Sequence, residues 1–208
     1  MHSCPAYCPR FYMHRRRAAI GSAVSLAMAP ARVTKRHRRR LGDTMPVVHM
    51  RIDNRLIHGQ VTSSWVNAIG ANRLIVTNDQ VAKDPVQTML LPQAARGVPT
   101  SVLSIADTIA YAQSPQGQRE KIFVIAKLPS DALRLLEGGL QPQAINVGNQ
   151  APVPATKFKM VTNSIAVTED DAGVYRKIAE MNGGRLTTQM VPTERQLDFL
   201  EVLKQKGL

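Results

Sequence analysis

The residues best suited to chemistry in this 208-residue chain lie in one stretch, Arg51-Ile52-Asp53-Asn54-Arg55-Leu56-Ile57-His58-Gly59-Gln60. From Asp53 to His58 it offers a carboxylate, a guanidinium and an imidazole within six positions. Phosphoryl transfer needs a nucleophile, positive charge for the equatorial oxygens and a group that orients the attacker. His58 can be the nucleophile, since an ordinary imidazole is largely neutral and nucleophilic near neutral pH. The phosphorus–nitrogen bond it forms passes onward readily, as a relay requires. Arg55 can supply the charge, because a planar guanidinium grips phosphate oxygens in pairs. Asp53 can accept a hydrogen bond from the ring nitrogen that does not attack, or hold Arg55 in place. Gly59 removes a side chain beside the histidine, and backbone N–H groups at a helix start could bind the transferred oxygens. The same residues also fit a capped turn with a surface ion pair, so local chemistry leaves both readings open. His49 reads as a structural or surface-facing histidine.

The elements around this stretch are predicted from apolar periodicity and from Gly, Pro and Asn at the joins. Val47 to Ile52 is a strand, followed by a helix from about His58 with Val61, Trp65 and Ile69 on one face and Gly70 closing it. Arg73 to Thr77 is a strand, then a helix runs through Val86, Met89 and Leu90. Val98 to Leu103 is a strand, Ala106 to Gln113 a helix, Lys121 to Ala126 a strand and Pro129 to Glu137 a helix with Pro in its first turn. Ala144 to Val147 is the next strand, before a Pro-rich loop from Gly148 to Thr156. Phe158 to Thr162 is a further strand, and Thr168 with Asp171 begins a helix carrying Val174, Ile178 and Met181. Arg185 to Met190 alternates as an edge strand does, and a last helix aligns Leu197, Leu200 and Leu203. Short apolar strands alternating with helices imply an α/β fold, an open, mainly parallel sheet with helices on both faces. Such sheets bind ligands at the carboxyl ends of their strands, which makes the loop after the first strand the expected active-site loop.

Bulk properties narrow the function. The net charge of +12 suggests a polyanion partner until it is located. Residues 1–44 hold 10 of the 27 Lys and Arg and 1 of the 15 Asp and Glu, so the remainder carries only +3. No nucleic-acid partner is therefore expected for residues 45–208. Both cysteines, Cys4 and Cys8, precede Met45, and only His49 and His58 follow it, so no metal site is expected there. No Gly-rich dinucleotide or P-loop signature follows the first strand, which disfavours a nucleotide-binding module. No run reaches the ~18 apolar residues of a spanning helix. The basic segment 1–44 is expected to be a disordered, dispensable extension, with Met45 the biological start. A secretory signal over Arg15 to Ala31 and a nucleic-acid-binding tail are its alternatives.

The run Arg51 to Val61 resembles the active-site loop of IIB components in the mannose/fructose/sorbose family of the sugar phosphotransferase system. The likeness continues in Trp65, Gly70-Ala71-Asn72, Asn78 to Gln87, Glu137-Gly138-Gly139, Ile145 to Asn149 and Val191-Pro192-Thr193-Glu194. It covers Met45 to about Leu203 and nothing before. Asn54, where an acidic residue is common, and Gln150, where Met is frequent, depart from it. The resemblance implies a phosphocarrier domain over 45–208 and a protein-N(pi)-phosphohistidine–sugar phosphotransferase activity. His58 would take phosphate on Nδ1 from a phosphohistidine of a IIA protein and pass it to a sugar held by the membrane components IIC and IID. Asp53 and Arg55 would support the phosphoryl group, with Asn54, Gly59 and Gln60 supporting the loop. Asn146, Gly148 and Asn149 would form a neighbouring lip. No cofactor is implied beyond the covalent phosphate on His58. The implied location is the cytoplasm, against the inner membrane through the permease, and a homodimer is left open. Val191 to Glu194 and Asn146 to Asn149 lean toward the amino-sugar branch.

Overall fold

The computed structural model describes residues 46–59 and 61–208. The expectations for residues 1–44, and for Gln60, lie outside the described residues. In chain order the elements are β1 (Val47–Asp53), a π-helical turn (Val61–Trp65) running into α1 (Val66–Ile69), β2 (Arg73–Thr77), α2 (Pro85–Ala94) and β3 (Thr100–Leu103). Then come α3 (Ile105–Gln113), β4 (Ile122–Ala126), α4 (Pro129–Glu137), β5 (Ile145–Asn149), β6 (Lys159–Thr162) and β7 (Ile165–Val167). The chain ends with α5 (Glu169–Met181), β8 (Thr187–Thr188), β9 (Leu197–Asp198) and α6 (Phe199–Gln205).

Seven strands form one sheet in the order β3-β2-β4-β1-β5-β8-β9. Every pairing is parallel except β8 with β9. The sheet is thus open, mainly parallel and flanked by helices, as the strand–helix alternation requires. Strands buried on both faces read as continuous apolar runs, and all of Ile122 to Ala126 in β4 is inaccessible. Met50, Ile52, Leu135, Tyr175 and Phe199 share one core. Trp65, Val61, Leu74, Val76 and Phe123 share the other. Side-chain oxygens start the longer helices by accepting orphan N–H groups: Asp84 for α2, Ser104 for α3 and Thr168 for α5.

The differences from expectation have local causes. The helix through Val86, Met89 and Leu90 forms, but those side chains are 57%, 58% and 49% exposed. Leu91 packs inward instead, because α2 covers only the edge strand β3. The edge strand expected over Arg185 to Met190 shrinks to Thr187–Thr188 and lies one place inside the edge. Leu197, expected on the last helix, belongs to the outermost strand, and Phe199 and Leu203 anchor α6. Met181, expected on the apolar face of its helix, is exposed, the strand expected from Phe158 begins at Lys159, and β7 completes a separate hairpin with β6 that the periodicity did not reveal. Among the described residues no helix is long and apolar enough to cross a membrane.

Candidate active site

Alternation along β1 divides its side chains between the two faces of the sheet. Met50 and Ile52 enter the first core. His49, Arg51 and Asp53, at every second position, enter the other face beneath the helix that carries Trp65. All three are buried, and Arg51 and Asp53 are wholly inaccessible. Burying such a row is costly unless its members are hydrogen-bonded; Arg51 and Asp53 are, whereas His49 Nε2 has no hydrogen-bond partner among the described residues.

Asp53 is the hub. Its Oδ2 accepts from Nε of Arg51 at 3.2 Å and pairs with Nε2 of His58 at 3.0 Å. Its Oδ1 accepts from the backbone N–H of Arg55 at 3.1 Å and from Nε of Arg55 at 3.4 Å. Burial pushes the Asp53 carboxyl up, but the His58 hydrogen bond and the charges of Arg51 and Arg55 outweigh it and hold the group below the usual carboxylate range. The carboxylate therefore stays ionised and orients the imidazole through Nε2. In the tautomer that donates from Nε2, the lone pair lies on Nδ1.

The loop is a tight turn. Leu56 N–H donates to Asp53 C=O at 3.1 Å, and Leu56 takes φ of 61°, a left-handed conformation costly for a side chain of its size. Burial of Leu56 and Ile57 against Val61 and Trp65 holds it there. His58 C=O then accepts from Val61 N–H at 3.0 Å, and the helix opens as a wide π-turn, a form frequent at functional sites. The Arg55 side chain remains 39% exposed and that of His58 20%, so both can meet an incoming group.

The structure thus brings Asp53, Arg55 and His58 together at the carboxyl end of the central strand. Asn54 joins this loop to β5: its backbone N–H donates to Asn149 C=O at 3.1 Å, and the two side-chain amides face each other at 2.8 Å. Among the described residues, nothing lies within 4 Å of a Cβ placed on Gly59. Asn146 and Gly148 are buried rather than at a lip, and both serve Arg51. Asn146 Oδ1 accepts from Nη1 of Arg51 at 2.6 Å. A Cβ on Gly148 would fall on the Arg51 guanidinium, at the bulge where β5 slips against β1.

Arg51 is the residue the sequence reasoning passed over. It also donates to the carbonyls of Gln189 (3.1 Å) and Met190 (3.4 Å), while its guanidinium lies 5.0 Å from the centre of the Trp65 ring. Trp65 Nε1–H donates to the same Met190 carbonyl at 3.0 Å. The available signal was an arginine alternating with apolar residues in the first strand, in phase with His49 and Asp53. His49 itself stacks against Trp65 and Phe123, and burial, with Arg51 nearby, lowers its pKa to about 4. Among the described residues no three His, Cys, Asp or Glu side chains are grouped to hold a metal ion.

An open, mainly parallel sheet with a buried carboxylate at the end of its central strand, and a part-exposed arginine and an oriented imidazole on the loop that follows, defines an α/β protein with a polar cluster at the carboxyl end of its strands. Comparison with known proteins makes the class specific. The family described as "PTS system sorbose subfamily IIB component" matches residues 47–208, and the chain belongs to it. It is 32% identical to the sorbose-specific EIIB component of Klebsiella pneumoniae over 77% of this chain and 97% of that protein. It is 35% identical to the N-acetylgalactosamine-specific phosphotransferase enzyme IIB component 2 of Escherichia coli (strain K12) over 76% and 98%. The crystal structure of the IIBSor domain of the Klebsiella pneumoniae sorbose permease superposes with a TM-score of 0.71 at 32% identity, covering 76% of this chain and 96% of that one.

Proposed function

We propose that His58 accepts a phosphoryl group from a phosphohistidine on a IIA partner and passes it to a sugar held by the membrane components IIC and IID. The observation that carries this reading is the 3.0 Å pairing of Asp53 with Nε2 of His58, since the tautomer that donates from Nε2 carries its nucleophilic lone pair on Nδ1. In the first step the Nδ1 lone pair bonds to phosphorus while the donor's phosphorus–nitrogen bond breaks, its electron pair returning to the donor ring. In the second a sugar hydroxyl oxygen bonds to phosphorus, the Nδ1 bond breaks, and the hydroxyl proton leaves to solvent. Arg55 meets the equatorial oxygens in both steps, and its partial exposure leaves it within reach of them. The open space beside Gly59 leaves room for the donor's ring. No cofactor enters either step, and the chain works at the cytoplasmic face of the inner membrane through its permease. The relatives include sorbose and N-acetylgalactosamine systems at 32% and 35% identity, so transport of a sugar panel after gene deletion assigns the substrate.

Incubation with phosphorylated IIA is expected to place acid-labile, base-stable phosphate on the chain. His58→Ala abolishes it, and Arg55→Ala slows transfer by about ten- to a thousandfold with the fold intact. Mass spectrometry that finds the label on another side chain, or on none, overturns the reading.

A further inference from the structure

We infer that Arg51 is the positioning residue of this site, acting on His58 through Asp53 and tying the segment after β8 to the same carboxylate. The inference rests on the proposed role of His58 and extends it to a residue that touches neither phosphate nor partner.

Three observations carry it. Arg51 is wholly buried in the central strand, where an arginine is costly unless every donor is used. Its fork is spread over acceptors on three segments: Asp53 Oδ2 on β1, Asn146 Oδ1 on β5, and the carbonyls of Gln189 and Met190 beyond β8. The surroundings are shaped to it, since Gly148 has no side chain where the guanidinium passes and Trp65 covers its face. Lysine, a single point of charge, could not serve three segments at once. Removing Arg51 would therefore take one donor away from the Asp53 carboxylate and from each of the Gln189 and Met190 carbonyls.

The consequence for chemistry is electrostatic. Asp53 faces His58 with a full negative charge, which by itself favours a protonated, non-nucleophilic ring. Arg51 shares the same Oδ2 and offsets that charge, so removing it would strengthen the pull of the carboxylate on the ring. The other charged or titratable groups nearby are His49 on the same strand face, Arg55 on the loop, and Glu194, whose Oε2 accepts from Met190 N–H at 2.9 Å. Arg55 acts on the same carboxylate from its other oxygen, but it is part-exposed and screened by solvent.

The test uses the full chain and two readouts. In Arg51→Gln, the acid limb of phosphoryl acceptance is expected to move up by about one pH unit, making acceptance on that limb about tenfold slower. The pH at which the 15N signals of the His58 ring change, read on the unphosphorylated protein, should move with it. Arg51→Lys is expected to restore most of both shifts, because it returns the charge without the fork. Gly148→Ala, which crowds the guanidinium while leaving every charge in the chain, should shift both in the same direction and decides the matter if Arg51→Gln does not fold. A folded variant whose two profiles overlay those of the parent overturns the inference. Loss of stability alone, with unmoved profiles, also overturns it. If the parent takes no phosphate on His58, the proposed function fails, while the ring titration still decides whether Arg51 acts through Asp53.

Discussion

Four residues apart on one face of β1, His49 and Asp53 are both buried, yet acid reaches them in different ranges. His49 titrates at about 4 in the fold, against about 6.5 in an unfolded chain, because burial and then Arg51 oppose its charge. Between those values the unfolded chain binds more protons, so stability falls as pH drops through that window and levels off below it. The loss is of order 3 kcal/mol for a shift of this size. The Asp53 carboxyl lies below its ordinary value, so its contribution is fully present above about pH 4 and is lost as pH falls through its folded value. Urea unfolding between about pH 7.5 and 3 is expected to show both losses. His49→Gln should flatten the first and leave the second, and an unchanged slope above pH 4 would assign that loss elsewhere. At this scale the Asp53-Arg55-His58 loop was legible because its residue types are rare together. The row His49, Arg51, Asp53 was equally visible as alternate positions, but Val47 to Ile52 reads first as an apolar run. What a buried arginine holds depends on Asn146 and Gln189, far along the chain.

The elements divide by how much of their cause is local. The predicted and observed limits of β2 and α4 coincide, since Asn78 and Gly138 mark their ends in the sequence itself. The Thr168–Asp171 start of α5 is local in the same way. Asp171 N–H donates to Thr168 Oγ1 at 3.0 Å, and Thr168 Oγ1–H donates to Asp171 Oδ2 at 2.8 Å. Thr168→Ala is expected to cost about 1 kcal/mol in urea unfolding and to leave phosphoryl acceptance unchanged. A loss below a few tenths would show that packing of Tyr175 and Ile178 alone holds the helix. By contrast, β8 is two residues long and exists because β5 and β9 flank it. No window of eleven residues contains that cause. Likewise the apolar spacing of Val86, Met89 and Leu90 predicts a buried face, but an edge helix over a half-buried strand has little sheet to cover.

For the whole molecule, the question is how little of the chain the site needs. Every contact described for the site runs between His49 and Glu194, and among the described residues both cores are built from residue 47 onward. The family match begins at the same place, at residue 47. Residues 1–44 bring nine of the twelve net positive charges. A chain beginning at Met45 is therefore expected to accept phosphate from IIA at the rate of the full chain. Its unfolding midpoint should differ little from that of the full chain. Charge predicts a second difference between the two. Non-specific binding of DNA by the full chain should weaken steeply with salt, as counterion release requires, and the shortened chain should bind little at any salt. Measured side by side, the two properties separate, because one depends on a fixed geometry around Asp53 and the other only on charge density. Loss of phosphoryl acceptance in a shortened chain that still folds would show that the basic segment takes part in the transfer.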